Sequence, residues 1–271
     1  MKSVLVTGAS GGMGMAVTAM LRAAGYRVFA LDRAFSAQMP DDGVLQITAD
    51  VTDPASVQNA AETVRQHLKP HSQSLYAIVH LAGIYLLDSL LEMEDADFLR
   101  IVHVNLCGAY LVNRHFADLL SAGSRILHIT SELAPLDPLP FTGLYGLTKS
   151  ALDKYAFALR MESQLSGIYV SVLRAGAVDT GMLAVSTAAL DRFCAKTERY
   201  ACNAARFRRI VEGVEAKRIP PEALAKKVCT ILGKRRPAFA YSINRNPLLR
   251  LYGILPKHVK LFAIRQILRT R

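Results

Sequence analysis

The sequence predicts an α/β fold, a doubly wound parallel sheet in a single domain with a helical C-terminal extension. Short apolar runs without polar alternation recur as far as Leu173, as expected of strands buried on both faces. Helical segments separate these runs, which parallel pairing requires. The residues with chemical character fall where the apolar runs end, and such sheets bind ligands beyond the carboxyl ends of their strands.

The elements follow in order. Val4 to Val6 is a β-branched and leucine run that ends in a glycine-rich turn. Met13 to Ala24 reads as a helix with Gly25 as its stop signal. Arg27 to Leu31 and Val44 to Ala49 read as the second and third strands. Asp53-Pro54 looks like a helix cap with proline at the first helical position, opening a helix to about Leu68. Leu75 to Leu81 is a fourth strand, and a long helix is expected from Asp95 to Leu120, ended by Gly123. Arg125 to Thr130 is a fifth strand, Tyr145 to Leu165 a helix and Ile168 to Leu173 a sixth strand. Pro221 to Leu232 reads as a helix and Ala238 to Ser242 as a last strand.

Composition narrows the classes. The chain of 271 residues carries a net charge of +11, which first suggests a nucleic acid or a membrane surface. The charge is uneven: residues 217–271 hold 14 Lys and Arg against one acid, Glu222, while residues 1–216 balance to −2. The tail has few aromatics for stacking and no recognised binding motif, so no nucleic-acid partner is expected. No apolar stretch is long enough to span a bilayer, and no charged leader precedes a cleavage site. Cys107, Cys194, Cys202 and Cys229 form no CxxC pair, so reduced thiols and a cytoplasmic setting are expected. His67 and His71 are separated by Pro70 and belong to no HExxH pattern, so no metal is expected.

Thr7-Gly8-Ala9-Ser10-Gly11-Gly12-Met13-Gly14 joins the first strand to the first helix. A helix N-terminus offers unpaired N–H groups to a phosphate, and glycines let the backbone approach it. Asp32 ends the second strand, where a carboxylate can accept hydrogen bonds from a ribose diol. That carboxylate would repel a 2′-phosphate, so NAD is expected over NADP, with the neighbouring Arg33 as the complication. Asp50-Val51 either flanks an adenine or, for Asp50, caps a turn. Tyr145 and Lys149 lie four apart on one helix face, where the ammonium can lower the phenol's pKa. Ser131 follows the fifth strand and can polarise a carbonyl. Asn105 lies mid-helix, against its propensity.

These residues together resemble the short-chain dehydrogenase/reductase family, whose pattern covers roughly residues 1–240. Its TGxxxGxG is met by Thr7, Gly8, Gly12 and Gly14, and its YxxxK by Tyr145 and Lys149. Its serine is met by Ser131, and its helical asparagine by Asn105 between Val104 and Gly108. The resemblance implies a Rossmann-type domain over residues 1–246, with residues 181–213 as a substrate lid and residues 247–271 as a basic amphipathic extension. It implies a dinucleotide held by Gly8, Ser10, Gly11, Gly12, Met13, Gly14, Asp32, Arg33, Asp50, Val51, Ala82, Gly83, Val178 and Thr180 with Tyr145 and Lys149. It implies hydride transfer to or from a carbinol carbon, with Tyr145 as general acid or base. Lys149 would lower its pKa, Ser131 would hold the substrate oxygen, and Asn105 would hold a water. A homodimer or homotetramer is also implied. Two departures stand out. The family often has Asn-Asn-Ala-Gly where this chain has His80-Leu81-Ala82-Gly83, so the asparagines' bonding must be made differently. Its Pro-Gly after the sixth strand is Ala175-Gly176 here.

The loop Leu133 to Leu144, rich in proline and leucine, joins Ser131 to Tyr145 and should wall a substrate site, with Phe141 in it and Tyr85 opposite. The apolar wall points to a lipophilic alcohol or ketone, such as a steroid, retinoid or acyl compound, as in the hydroxysteroid and retinol dehydrogenase branch. Glu132 could contact substrate or a subunit. The basic extension either lies on an anionic membrane or packs across the site or a neighbouring subunit. The competing functional class is a non-catalytic dinucleotide-binding redox sensor, which would have no need of Tyr145 and Lys149.

Overall fold

The structure is a computed structural model that describes residues 1–35, 43–71, 73–215 and 217–269. Seven strands form one parallel sheet: β1 (Ser3–Thr7), β2 (Arg27–Asp32), β3 (Val44–Thr48), β4 (Leu75–His80), β5 (Leu120–Ser131), β6 (Tyr169–Ala175) and β7 (Ala240–Ile243). Their order is β3-β2-β1-β4-β5-β6-β7. The chain winds outward from β1 to β3, then returns to the other side of β1 as β4. That reversal opens a crevice beyond the carboxyl ends of β1 and β4.

Successive strand residues point to opposite faces, so each strand feeds two cores. Val4 and Val6 of β1 pack with Val17 and Leu21 of α1 (Gly12–Ala23) and with Leu224 and Val228 of α8 (Pro221–Leu232). Leu5, with Phe29, Leu31 and Ile78, packs against Val57 and Val64 of α2 (Pro54–Leu68) and Val112 of α4 (Gly108–His115). Ile126, Val170 and Val172 meet Ala156 of α5 (Gly143–Ser163). Burying a Val or Leu side chain contributes about 1.5–3 kcal/mol, so these two layers hold the sheet. The expected cap of α2 is present: the Asp53 carboxylate accepts from the N–H groups of Ala55 and Ser56, with Pro54 at the first helical position.

The expected long helix from Asp95 to Leu120 is interrupted. It runs as α3 (Asp95–Val102), a π turn (His103–Cys107) and α4, then a 3₁₀ turn. The wide turn surrounds Asn105, whose side chain is drawn inward. Gly123 does not stop that helix. Leu120 already pairs with Leu75, and Gly123, at φ 91°, bends the start of β5 and donates its N–H to the Gly167 carbonyl. The last strand is shifted to Ala240–Ile243, because Ala240 is the first residue in register with Val172.

Residues 181–213 fold as α6 (Gly181–Lys196) and most of α7 (Ala201–Glu215), which cross above the carboxyl edge of the sheet. The chain then ends in α9 (Pro247–Ile254) and α10 (Lys257–Leu268).

Candidate active site

β1 leads into a turn closed by Gly8 and Gly14. Gly8 has φ 69°, and a Cβ there would meet the Ala82 nitrogen at 2.5 Å. A Cβ on Gly14 would lie 2.0 Å from the Gly8 carbonyl oxygen. Only glycine lets α1 start this close to the strand ends. Gly11 is the N-cap and supplies no side-chain cap, so the first N–H groups of α1 stay available to an anion. Asp32, at the end of β2, accepts the Ser10 N–H at 2.9 Å and the Arg33 N–H at 2.8 Å. It therefore ties the turn to the place where a ribose would lie.

A cleft of about 1180 Å³ follows these ends. Gly8, Ser10, Gly11, Gly12, Met13, Gly14, Asp32, Arg33, Asp50, Val51, Ala82, Gly83 and Thr180 all line it. The donor set fits a dinucleotide: an open helix N-terminus for the diphosphate, a carboxylate for the ribose and an apolar floor at Val51. Asp50 also caps a turn, accepting from the N–H and hydroxyl of Thr52, and these bonds hold its carboxyl below the usual range. Arg100, His103 and Arg192 line the cleft too, and sequence reasoning missed them. Nothing local marks them, since Arg100 sits in the broken helix and Arg192 arrives from α6.

A second cavity, of about 240 Å³, shares Met13, Leu81, Gly83, Ile84, Tyr85 and Thr180 with the cleft. Ser131, Tyr145 and Lys149 line it, with Val178 and the apolar Leu133, Leu139, Ile210 and Leu249. The Ser131 hydroxyl faces Tyr145 closely enough to favour its phenolate, and the Tyr145 ring lies 4.9 Å from the Tyr85 ring. The Ser131 oxygen also accepts the Leu133 N–H, which orients the hydroxyl.

Lys149 is buried. Its Nζ donates to the Ile129 carbonyl at 3.2 Å and stands 5.8 Å from the Tyr145 ring centre. Burial pushes the ammonium down to about 8. Burial also pushes Tyr145 up to about 12, which corrects the expectation of a lowered phenol in the protein alone. Desolvation of the phenolate outweighs the effect of the Ser131 hydroxyl, and Lys149, titrating near 8, is already neutral at the pH where the phenol ionises.

Asn105 lies in the π turn. Its Oδ1 accepts the Ile84 N–H at 2.8 Å, while its Nδ2 donates to the Ile84 carbonyl and the Thr148 hydroxyl. Both amide donors are thus committed to protein, so the side chain fastens the loop after β4 to α5.

Phe141 does not line the cavity. It has φ 61° and sits in an aromatic cluster with Phe193, Tyr200 and Phe207, so it supports α6 and α7 from behind. Glu132 lines the same cavity, and its carboxylate is engaged within the chain: its Oε2 accepts the Asn246 N–H at 2.6 Å, just before α9. Burial raises its carboxyl above the usual range. Gly176 is compulsory, since a Cβ there would lie 1.9 Å from the Asn244 carbonyl oxygen. At the other departure, His80 Nε2 contacts Asn113 Oδ1 at 2.9 Å, and Asn113 donates to Tyr155. A histidine thus makes the cross-link expected of an asparagine.

Residues 2–191 match the family described as short chain dehydrogenase. The uncharacterized oxidoreductase YbbO of Escherichia coli K12 is 32% identical over 187 residues, 66% of this chain and 66% of that one. The alignment thus leaves about a third of that relative's length unmatched. A 3-ketodihydrosphingosine reductase of Bacteroides thetaiotaomicron is 25% identical over 97% of this chain and 96% of its own. Among solved structures, a short-chain dehydrogenase from Streptomyces avermitilis superposes with a TM-score of 0.76 at 21% identity, covering 98% of this chain and 94% of its own.

Proposed function

The chain belongs to the short-chain dehydrogenase family, and from that premise we propose that it is a NAD-dependent oxidoreductase interconverting a lipophilic secondary alcohol and its ketone. The single observation that carries this reading is that Ser131, Tyr145 and Lys149 share one cavity, which opens onto the cleft of the glycine turn. NAD(H), when bound, supplies or accepts the hydride. In reduction, the Ser131 hydroxyl donates to the carbonyl oxygen and Tyr145 delivers the proton to it. Lys149 holds the ribose side of the cofactor, against Gly83. With its phenol near 12, Tyr145 is protonated at neutral pH, as the acid in reduction must be.

Asp32 supports NAD over NADP, since its carboxylate stands where a 2′-phosphate would lie. Leu133, Leu139, Val178 and Leu249 support an apolar substrate. The name of the relative matched along 97% of this chain, 3-ketodihydrosphingosine reductase, is consistent with a lipid ketone. We read residues 1–246 as the catalytic domain, residues 181–213 as its lid and residues 247–271 as an extension to it. Tyr110 of α4 with Leu147, Phe157 and Met161 of α5 are large and exposed, and they support a homodimer through these helices. The redox-sensor alternative finds no support in the relatives, which are named as reductases and dehydrogenases.

The test is a turnover screen of steroids, long-chain ketones, acyl compounds and small polyols with NADH, NADPH and their oxidised forms. Apolar ketones should turn over with NADH and not with the Tyr145→Phe variant. A preference for small polyols would overturn the substrate class.

A further inference from the structure

The two C-terminal helices carry their polarity inside out. Lys260 is buried at 7% exposure, its Nζ 2.8 Å from Asp137 and 4.9 Å from the Tyr252 ring centre. Outward stand Leu248 at 72%, Ile254 at 79%, Leu261 at 74% and Phe262 at 64% exposure, joined by Leu251 and Ile267. A monomer rarely presents so many large apolar side chains on two adjacent helices unless something covers them.

Charge selects the cover. Residues 245–271 contain seven Lys and Arg and no acid, and among the described residues only Lys260 of these forms an ion pair. Arg250, Lys257 and Arg265 are exposed beside the apolar side chains. A second copy would set these cations against their like. An anionic lipid surface accepts both the apolar side chains and the cations.

The helices are also held in place. Glu132 accepts the Asn246 N–H, and Asn203 of α7 donates to the Leu268 carbonyl at 2.7 Å. No helix among the described residues is long and apolar enough to cross a membrane, so such a pair would lie in the interface. Its position matters for the cavity: Leu249 of α9 and the exposed Ile210 of α7 both line it.

We propose that α9 and α10 form a docking surface for an anionic lipid bilayer, which brings the mouth of the cavity to the lipid phase. The use of that placement, delivery of a lipid-borne substrate, rests on the function proposed above; the docking itself does not.

The experiment is co-sedimentation of the full chain with vesicles of phosphatidylcholine alone and of phosphatidylcholine with one quarter phosphatidylglycerol. The protein should sediment with the anionic vesicles, not the neutral ones, and be released by high salt. A basic residue near such a surface contributes about fivefold in binding, so the double reversal Arg250→Glu/Arg265→Glu should weaken it by about 25-fold or more. Leu261→Ser/Phe262→Ser should remove most of it. NADH binding by fluorescence, measured on the same samples, should match the wild type in both variants and certify their folding. Absence of the wild type from anionic vesicles overturns the proposal, as does wild-type binding by both folded variants. So does a concentration-dependent self-association that Leu261→Ser/Phe262→Ser abolishes without any vesicle binding. No readout involves turnover, so failure of the docking and failure of the oxidoreductase reading are distinguishable.

Discussion

His80 and His128, opposite each other on β4 and β5, stack with ring centres 4.4 Å apart and 5° between their planes. Both are fully buried, and burial pushes His80 down to about 4 and His128 well below its ordinary value. Folding therefore demands neutral rings. The unfolded chain takes up protons below about pH 6.5 while the folded His80 does not until about pH 4, so stability falls as pH drops through that window. His80 alone accounts for on the order of 3 kcal/mol between these limits. Urea unfolding at pH 7 and at pH 4.5 should differ by an amount of this order, and His80→Asn should narrow the gap. An unchanged pH dependence in that variant would remove the imidazole as its source.

Tyr145→Phe deletes only the hydroxyl proposed to carry the proton. Turnover should fall by about 10²–10⁴-fold while the affinity for NADH stays within a few-fold. Single-turnover kinetics with fluorescence-detected NADH binding would separate the two, and a variant with normal turnover would dismiss the tyrosine from the chemistry.

Lys149 should give the reaction an alkaline limit. Its ammonium is lost as pH rises through about 8, whereas Tyr145 remains protonated to about 12. The rate of NADH-supported reduction should be flat below pH 8 and decline above it. Lys149→Arg keeps its charge at every accessible pH, so any residual activity should lose that decline. A decline that persists in the variant would assign it to another group.

Much of the fold was legible because strand burial leaves uninterrupted apolar runs, as in Val4 to Val6, and because Asp53-Pro54 announces its helix. The glycine turn, Ser131, Tyr145 and Lys149 were legible as types at characteristic spacings. What stayed hidden depends on distance in space. The break around Asn105 is decided by Ile84 and Thr148, which supply its partners from other elements. Leu249 and Arg192 reach the site through tertiary packing, and no local pattern distinguishes them from ordinary helix residues. Phe141 was misplaced because a loop's apolar residues face either the cavity or the core behind it, and sequence alone does not choose.

Asp32 should govern the choice of cofactor. Replacing it with Ser removes the acceptor for a ribose diol and the repulsion toward a 2′-phosphate. Asp32→Ser should weaken NADH by about tenfold or more, the scale of a lost charge-assisted hydrogen bond, and weaken NADPH less or strengthen it. Parallel titrations with the two cofactors measure the ratio, and an unaltered ratio would free Asp32 from that role.

Asp137 should hold the C-terminal helices on the body. Without it, the buried Lys260 ammonium keeps only the Gly253 carbonyl among its hydrogen-bond partners. Losing the carboxylate leaves the buried ammonium without its counter-charge, which loosens a peripheral segment. Asp137→Ala should raise hydrogen exchange over α9 and α10 while leaving β1 to β6 protected. Equal protection of the tail in both proteins would contradict this.

Glu132 follows the serine that would hold the substrate oxygen by one peptide bond, and its carboxylate grips the backbone where α9 begins. The end of the chain and the reacting end of β5 are thus parts of one lever. Grafting the tail of a relative onto this body would exchange more than a surface: substrate preference should travel with it, and chimeras divided after residue 246 should inherit traits from both parents.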